Sequence, residues 1–213
     1  MNTLSINLIV EEKSCLVVGA GQVALRKIEN LLLKRALVTV IAPKAIKQII
    51  NLSQQKKIVL LERAFQKTDV RQFFLVIAAT NKNAVNKLIY EEAQAAGILV
   101  NVVDDPPHCS FYFPAEILKG DLQFALSSGG SIPFAIKRFR ILIDALLNSP
   151  DWHAWLNQAR ILRNKILQSN IPEENRNCIY DDFFSQSVQS SGLIEVQKLP
   201  DSSFQALINE LDV

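Results

Sequence analysis

Five short apolar runs, separated by amphipathic segments, occupy the chain from residue 14 to residue 103. The runs cover residues 15–18, 37–41, 58–61, 73–78 and 98–103. Because they are apolar at consecutive positions, they are typical of parallel strands that are covered on both faces. Strands that alternate with helices through short connections imply right-handed crossovers. The sequence therefore predicts an α/β fold with a Rossmann-type parallel sheet.

The segments between the runs have helical periodicity. After the first run, Ala24, Ile28 and Leu31 recur at helical spacing and form one apolar stripe. A further helix is predicted over residues 83–96, and Gly97 is expected to cap its C-terminus. Helices in these positions would cover the faces of the predicted sheet.

The pattern changes after residue 109. Two strands are predicted at 110–113 and 122–126, separated by Pro114 and by a Lys-Gly-Asp turn. A helix that reaches about residue 147 follows, with Ser131 as its N-cap and Pro133 in its first turn. The later predicted helices cover residues 152–168, 173–186 and 203–211.

Composition and charge exclude several classes of function. The 213 residues carry a net charge of +2, which is too small to indicate a nucleic-acid or membrane-surface partner. No apolar run approaches the roughly 20 residues that span a bilayer, and the apolar N-terminal stretch lacks the basic residue of a signal peptide. Three widely spaced cysteines fit a reducing compartment. We therefore expect a cytoplasmic protein without nucleic-acid or membrane partners.

A glycine-rich motif stands between the first run and the first helix. It reads Gly19-Ala-Gly-Gln-Val-Ala24 and matches G-x-G-x-x-A. Gly19 permits a tight turn, Gly21 lets a pyrophosphate approach the backbone, and Ala24 lets the helix pack close to the sheet. Free N–H groups at the start of that helix, together with its dipole, favour phosphate. The position of the motif favours a dinucleotide site over an ordinary glycine-rich turn.

The acidic residue that usually binds the ribose of NAD is missing. It would end the second strand, about 20 residues after the motif, but this region reads Ile41-Ala-Pro-Lys44. We expect backbone groups around Pro43 and Lys44 to hold the ribose instead. Since Lys44 also suits a 2′-phosphate, these residues leave both NAD and NADP open.

Two adjacent carboxylates follow the fifth run, in the segment Asn101-Val-Val-Asp-Asp-Pro106. Ligands of open α/β sheets lie beyond the carboxyl ends of the strands, so Asp104 is expected to face the cofactor cleft. There it can accept a proton while a hydride leaves for the nicotinamide. The alternative is that Asp104 and Asp105 only cap the turn before Pro106.

The segment Ser127-Ser-Gly-Gly130 precedes a helix and is a candidate nest for an anion such as a substrate carboxylate. The helix carries Lys137, Arg138 and Arg140. Arg140 is expected to pair with Asp144 at i, i+4, and this polar stripe is either solvated or ligand-binding. Arg138 falls on an otherwise apolar side, so it requires a carboxylate from a ligand, a partner subunit or the core.

The two histidines give a weaker signal. His108 follows two prolines close to Asp104, and it either assists proton or metal transfer or is a loop residue without such a role. His153, beside a tryptophan, is interpreted as structural. No grouping of cysteine, histidine and carboxylate has metal-ligand spacing, so we expect no permanently bound structural metal.

Taken together, these motifs resemble the precorrin-2 dehydrogenase/sirohydrochlorin ferrochelatase family, which also forms the N-terminal half of bifunctional siroheme synthases. The resemblance covers residues 1–147, in order and at the spacing of the family. The matching segments are 17–24 with Arg26-Lys27, 38–43, 78–80, 101–106, 109–111, 113–114, 127–130 and Pro133. The combination of G-x-G-x-x-A with N-V-V-D-D-P and S-S-G-G is specific.

The resemblance implies three parts: an NAD-binding Rossmann domain at 1–113, a dimerisation segment at 114–147 and a C-terminal helical domain at 148–213. It implies a homodimer that oxidises precorrin-2 to sirohydrochlorin with NAD. In many members, ferrous iron is a further substrate that is inserted into sirohydrochlorin. The alternative is a dinucleotide-sensing regulatory domain without catalysis, which needs neither a strand-end aspartate nor a basic substrate pocket.

The resemblance also assigns individual residues. The essential aspartate of the family falls on Asp104, and its regulated, substrate-proximal serine falls on Ser128. Cofactor-binding residues are expected at Gly19, Gly21, Gln22, Val23, Pro43, Lys44, Ala79 and Thr80. Substrate-binding residues are expected at His108, Ser128, Gly129, Gly130, Lys137 and Arg138. The family commonly lacks the ribose acid, and its polycarboxylate tetrapyrrole substrate gives the basic residues a role.

The sequence departs from the family pattern in two places. Ile132 and Phe134 are bulkier or more apolar than the residues usual around that proline, which would narrow the pocket. The polar tail after residue 150 does not match closely, so its assignment as a helical domain rests on position. Because the sequence ends without the methyltransferase domain of the fused enzymes, we expect that methylation to be supplied elsewhere.

Overall fold

The computed structural model describes residues 3–129, 132–147 and 152–190. It divides into two units, Met1–Phe113 and Pro114–Val213. Within the described residues, no helix combines the length and the apolar character that crossing a membrane requires. The helix predicted at 203–211 and the predicted N-cap Ser131 lie outside the described residues.

A five-stranded parallel sheet is the centre of the first unit. Its strands are β1 (Ser14–Val18), β2 (Leu37–Ile41), β3 (Val59–Leu61), β4 (Leu75–Ala78) and β5 (Leu99–Val102). They lie in the order β3-β2-β1-β4-β5, and every neighbouring pair is parallel. The chain reverses its direction across the sheet between β1 and β4, which is the topological switch point of a Rossmann fold. The predicted fold class is confirmed.

Helices cover both faces of this sheet: α1 (Gln22–Leu33) and α2 (Lys47–Gln54) on one side, α3 (Asn83–Ala95) on the other. Successive side chains of β1 enter different cores, because neighbouring residues of a strand point to opposite faces. Cys15 and Val17 pack with α1 and α2, whereas Leu16 and Val18 pack with α3. This double coverage explains why the runs are apolar at consecutive positions.

The C-terminus of α3 is closed as predicted. Gly97 adopts a left-handed conformation, with φ of +68°, and the N–H of Ile98 donates to the carbonyl of Ala93 at 2.9 Å. This is the bonding pattern of a glycine cap, in which carbonyls of the last turn gain donors. The cap turns the chain directly into β5.

The strand predicted at 110–113 is wrong. The chain there is extended without forming a strand, and the hairpin strands of the second unit are β6 (Ala115–Lys119) and β7 (Leu122–Leu126). Ser110 instead donates its N–H to the carbonyl of Val100 at 2.7 Å. Phe111 and Phe113 pack against the first core, which is the one that contains residues of α1 and α2. The two aromatic residues are apolar because they pack against this core. An apolar pattern of this kind does not distinguish such packing from a strand.

The second unit adds three helices: α4 (Pro133–Leu146), α5 (Trp152–Gln168) and α6 (Glu173–Ser190). The bounds predicted for α5 are confirmed, and α6 extends beyond its predicted end at residue 186. The helices α5 and α6 share a small core of Leu162, Ile166 and Ile179.

Two ion pairs tie the hairpin to the helices of this unit. Arg160 of α5 pairs with Asp121 in the hairpin turn. Asp144 of α4 pairs with Lys119 of β6 at 2.9 Å. The predicted pairing of Asp144 with Arg140 within α4 is therefore corrected, because the cross-element lysine takes the carboxylate.

Candidate functional site

The glycine loop between β1 and α1 is held against the end of β4. Gly19 has φ of +111°, a conformation that L side chains rarely adopt. A Cβ atom on Gly19 would overlap the carbonyl group of Ala79 and lie 3.2 Å from the nitrogen of Thr80. The fold itself therefore requires glycine here, since the loop and the end of β4 leave no room for a side chain.

Gly21 has the opposite environment. A Cβ atom added there would meet nothing within 4 Å, so the protein does not need glycine for its own packing. No side chain caps the N-terminus of α1, and its first turn carries no acidic residue. Open space in front of uncapped N–H groups is what a pyrophosphate requires. The loop thus fits a dinucleotide.

The loop after β2 lies beside the glycine loop. The N–H of Ile46 donates to the carbonyl of Ala20 at 3.1 Å, and the N–H of Gly19 donates to the carbonyl of Ile41 at 2.9 Å. Pro43 and Lys44, the residues predicted to face the ribose, stand exposed in this loop. Because this loop lies next to the glycine loop, the two loops together fit one continuous surface for a dinucleotide.

A pocket of about 290 Å³ opens at the carboxyl ends of β4 and β5. It brings together four of the predicted residues: Val23 of α1, Ala79 and Thr80 after β4, and Asp104 after β5. Its other lining residues, Asn81, Asn83, Asn86, Val103 and Asp105, were not among the predicted ones. The pocket therefore lies at the switch point of the sheet, where doubly wound folds bind their ligands.

Asp104 occupies a left-handed turn immediately after β5. Its φ is +60°, a region in which aspartate and asparagine are enriched among non-glycine residues. The preceding residue is anchored, because the N–H of Val103 donates to the carbonyl of Ala78 at 2.9 Å. The Asp104 side chain is exposed, and no group of the described residues hydrogen-bonds to its carboxylate. An uncommitted carboxylate on a constrained turn is suited to accept a proton from a ligand.

A cysteine holds this turn closed. The sulfur of Cys109 accepts the N–H of Val102 at 3.3 Å and lies within hydrogen-bond distance of the carbonyls of Val102 and Asp105. Asn101, which is buried, donates its Nδ2 to the carbonyl of Phe111 at 2.9 Å. Burial raises the pKa of Cys109, so its sulfur keeps the proton needed for donation to a carbonyl. These contacts fix the backbone on both sides of Asp104.

His108 is bound to Asp105. Its Nδ1 donates to Oδ2 of Asp105 at 2.8 Å, and its ring packs edge-on against Tyr90, with centroids 4.7 Å apart. Asp105 precedes a 3₁₀ turn at Pro106–His108, and its side chain makes no capping hydrogen bond there. The carboxylate of Asp105 is thus hydrogen-bonded to His108, whereas the carboxylate of Asp104 has no hydrogen-bond partner among the described residues.

Asn86 is the site residue that sequence reasoning missed most clearly. It is buried on α3, and its Oδ1 accepts both the N–H and the hydroxyl of Thr80, at 3.2 and 2.7 Å. Its Nδ2 donates to the carbonyl of Thr80 at 3.0 Å. The three bonds lock the turn after β4 that borders the pocket. A single polar residue on the apolar stripe of the predicted helix was the available signal.

We expect Asn86→Ala to lower the free energy of unfolding by about 1–3 kcal/mol, because it leaves the backbone groups of Thr80 without their partners. Urea unfolding followed by circular dichroism measures this. Asn83→Ala, at an exposed position of the same helix, is the matched control and should change stability by less than about 0.5 kcal/mol. Equal effects of the two substitutions would contradict the locking role of Asn86.

The predicted substrate-binding residues of the second unit lie before and on α4. The N–H of Ile132 donates to Oγ of Ser128 at 3.1 Å, and Gly129 is left-handed, with φ of +59°. Lys137 and Arg138 are exposed on α4. Gly130 lies outside the described residues. The Ser128 hydroxyl, which accepts a bond from Ile132, retains its proton for donation to an acidic ligand.

The described residues contain no group of three or more histidine, cysteine, aspartate or glutamate side chains that could hold a metal ion. Beside Asp104, the carboxylate of Asp105 is paired with His108.

Comparison with known proteins agrees with this geometry. Residues 6–115 match a family model described as "Putative NAD(P)-binding". A siroheme synthase from Actinobacillus pleuropneumoniae serotype 3 is 41% identical over 147 residues, covering 69% of this chain and 30% of that protein. A siroheme synthase from Vesicomyosocius okutanii is 33% identical over 215 residues, covering 98% of this chain and 45% of that protein. The resemblance identified from the motifs is thereby confirmed.

A solved structure named "SirC, precorrin-2 dehydrogenase" shares the fold, with a TM-score of 0.72 at 21% identity over 99% of both chains. The chain spans 30% and 45% of the lengths of the two curated relatives. The family model covers just over half of the chain. The NAD(P) binding that its description names is consistent with the glycine loop between β1 and α1. The chain therefore belongs to the NAD(P)-binding family.

Proposed function

We propose that this chain is an NAD-dependent dehydrogenase that oxidises precorrin-2 to sirohydrochlorin in siroheme biosynthesis. The observation that carries the proposal is the free carboxylate of Asp104, held in a left-handed turn in the same pocket as Val23 and Thr80. The siroheme synthase relatives and the structural similarity to a precorrin-2 dehydrogenase support the choice of substrate.

The oxidation removes a hydride and a proton from the substrate. NAD, when bound at the glycine loop, supplies the hydride acceptor. The carboxylate of Asp104 accepts the proton, and its anchored turn keeps it beside the end of β4. The turn after β4, held by Asn86, forms the adjoining wall of the pocket. The chain thus contributes a base and a shaped wall, and general-base catalysis of this kind contributes typically about 10²- to 10⁴-fold in rate.

The direct test is an anaerobic assay with purified protein, precorrin-2 and NAD. We expect sirohydrochlorin and NADH to form in equal amounts, and a parallel assay with NADP measures the preference between the two cofactors. A protein that binds NAD but leaves precorrin-2 unchanged would instead be a dinucleotide sensor, and the proposal would fail. Addition of ferrous iron to sirohydrochlorin in the same buffer tests insertion of the metal, for which Asp104 would help to remove the pyrrole protons.

We propose that the predicted dimerisation segment, residues 114–147, joins two copies of the chain. Large apolar side chains of α4 are exposed in the single chain, with 74% of Phe134, 54% of Phe139 and 60% of Leu142 accessible to solvent. Exposed apolar patches of this kind favour association. We expect light scattering to give twice the mass of the chain, and Phe139→Glu to shift the protein to the monomer. A monomeric wild type would contradict the proposal.

We also propose that the protein works in the cytoplasm. Cys15, Cys109 and Cys178 are all free thiols, as expected in a reducing compartment.

The predicted ligands of the substrate carboxylates remain Ser128, Gly129, Lys137 and Arg138, together with His108. Their hydroxyl, N–H and cationic groups are suited to bind an acidic tetrapyrrole.

A further inference from the structure

Two asparagine side chains line the pocket at the ends of β4 and β5, and the proposed proton transfer does not use them. Asn81 and Asn83 stand where the chain passes from β4 into α3, and both line the pocket. Both are exposed. Neither side chain hydrogen-bonds to another group of the described residues, so both amides are available to a ligand.

The backbone that carries these two amides is fixed from below. Oδ1 of the buried Asn86 accepts the N–H and the hydroxyl of Thr80. The hydroxyl oxygen of Thr80 in turn accepts the N–H of Lys82 at 3.2 Å, and the carbonyl of Lys82 accepts the N–H of Asn86 at 3.0 Å. A turn that is already ordered loses little conformational freedom when a ligand binds to its side chains.

The size of the pocket limits what these amides can bind. Its volume is about 290 Å³, and a cavity of about 150 Å³ already holds one benzene ring. The pocket therefore has room for a single ring with its substituents, and a macrocycle of four linked rings exceeds it. By size, the pocket fits one end of the dinucleotide and not the tetrapyrrole.

The charges of the pocket favour the same end of the dinucleotide. Two carboxylates line it, those of Asp104 and Asp105, and no lysine, arginine or histidine of the described residues does so. A ligand carboxylate would meet like charges there, whereas a cationic ring is attracted. The nicotinamide ring of oxidised NAD is such a cation. Its carboxamide has one acceptor oxygen and an NH₂ donor, and the asparagine amide has the same two groups.

We propose that Asn81 and Asn83 bind the carboxamide of the nicotinamide and so position its ring in the pocket that contains Asp104. The inference rests on the proposed function and names the residues that select the reactive end of its cofactor. The glycine loop cannot make this selection, because a phosphate-binding loop does not contact the ring. Discrimination between dinucleotides that differ only in the ring substituent therefore belongs to the two asparagines.

The test is calorimetric titration of the protein, without precorrin-2, with two dinucleotides: NAD and its acetylpyridine analogue, in which a methyl group replaces the NH₂ of the carboxamide. Wild type should bind NAD about three- to tenfold more tightly than the analogue, the effect of about one hydrogen bond. A double variant, Asn81→Ala with Asn83→Ala, should bind NAD about five- to fiftyfold more weakly than wild type. It should bind the two dinucleotides with equal affinity.

Asn51→Ala is the matched control, because it makes the same substitution at an exposed position of α2 outside the pocket. Its affinities for both dinucleotides should equal those of wild type. Equal binding of both dinucleotides by wild type would overturn the inference. So would a wild-type affinity ratio in the double variant, including the case in which its KM for precorrin-2 rises because the asparagines bind the substrate. If the double variant does not fold, each single substitution is judged by the same ratio, and at least one must lower it.

The failure of this inference and the failure of the proposed function give different results, because the titrations do not depend on turnover. A wild type that discriminates between the dinucleotides but leaves precorrin-2 unchanged would refute the dehydrogenase and keep the two asparagines as ligands of the dinucleotide. Turnover of precorrin-2 without discrimination would refute the role of Asn81 and Asn83 alone.

Discussion

Asp104→Asn is expected to lower the kcat for precorrin-2 oxidation by roughly 10²- to 10⁴-fold, the typical contribution of a general base. Asparagine has almost the same size and also tolerates the left-handed conformation at φ of +60°. The substitution therefore removes the proton acceptor without straining the turn. Alanine is the less suitable change, because it would add backbone strain at this position.

The measurement combines NADH formation under anaerobic conditions with titration of NAD binding. We expect the dissociation constant for NAD to stay close to that of wild type, because the predicted phosphate-binding element is the glycine loop and not Asp104. Glu91→Gln, at an exposed position on α3, is the control for loss of one negative charge. If Asp104→Asn kept wild-type turnover, Asp104 would not be the base.

The two glycines of the loop are expected to fail in different ways. Gly19→Ala should destabilise the protein by about 2 kcal/mol or more, because the added Cβ meets the carbonyl of Ala79 at a φ of +111°. Gly21→Ala should change stability by less than about 1 kcal/mol, since its Cβ would enter open space. The same Cβ would occupy the space for the pyrophosphate, so NAD affinity should fall at least about tenfold.

Thermal and urea unfolding separate the two effects from NAD titration of the folded variants. Each glycine variant is the control for the other, because the two positions are only two residues apart and receive the same methyl group. A Gly21→Ala protein with wild-type NAD affinity would contradict the assignment of the open space to a pyrophosphate. A fully stable Gly19→Ala protein would contradict the close approach of the loop to β4.

The sequence was most informative where a local pattern has one physical explanation. Runs that are apolar at consecutive positions are typical of a parallel sheet between helices, and that sheet is observed, with β1 and β4 covered and the edge strand β3 partly exposed. The glycine spacing predicted a dinucleotide loop in the same way, and the geometry at Gly19 and Gly21 fits such a loop. The position of Asp104 followed because it ends a strand, and ligands lie at strand ends.

Side chains that act across the fold could not be read in this way. Phe111 and Phe113 had the pattern of a strand, but they cover the first core, and the Phe113 ring lies under the ammonium group of Lys27. Asn86 looked like an ordinary polar residue of a helix, although it holds the turn at Thr80. Periodicity describes which face of an element is buried, and it does not reveal the partner.

By itself, the sequence determined the fold class, the glycine loop between β1 and α1 and the residue that follows the fifth strand, because propensity, patterning and turn chemistry act over a few neighbouring residues. Only the tertiary structure decided which glycine serves packing and which leaves room for a ligand, and which of two adjacent carboxylates is free. Those outcomes depend on residues from β4, α3 and the segment after β5, which are distant along the chain and meet only when it folds.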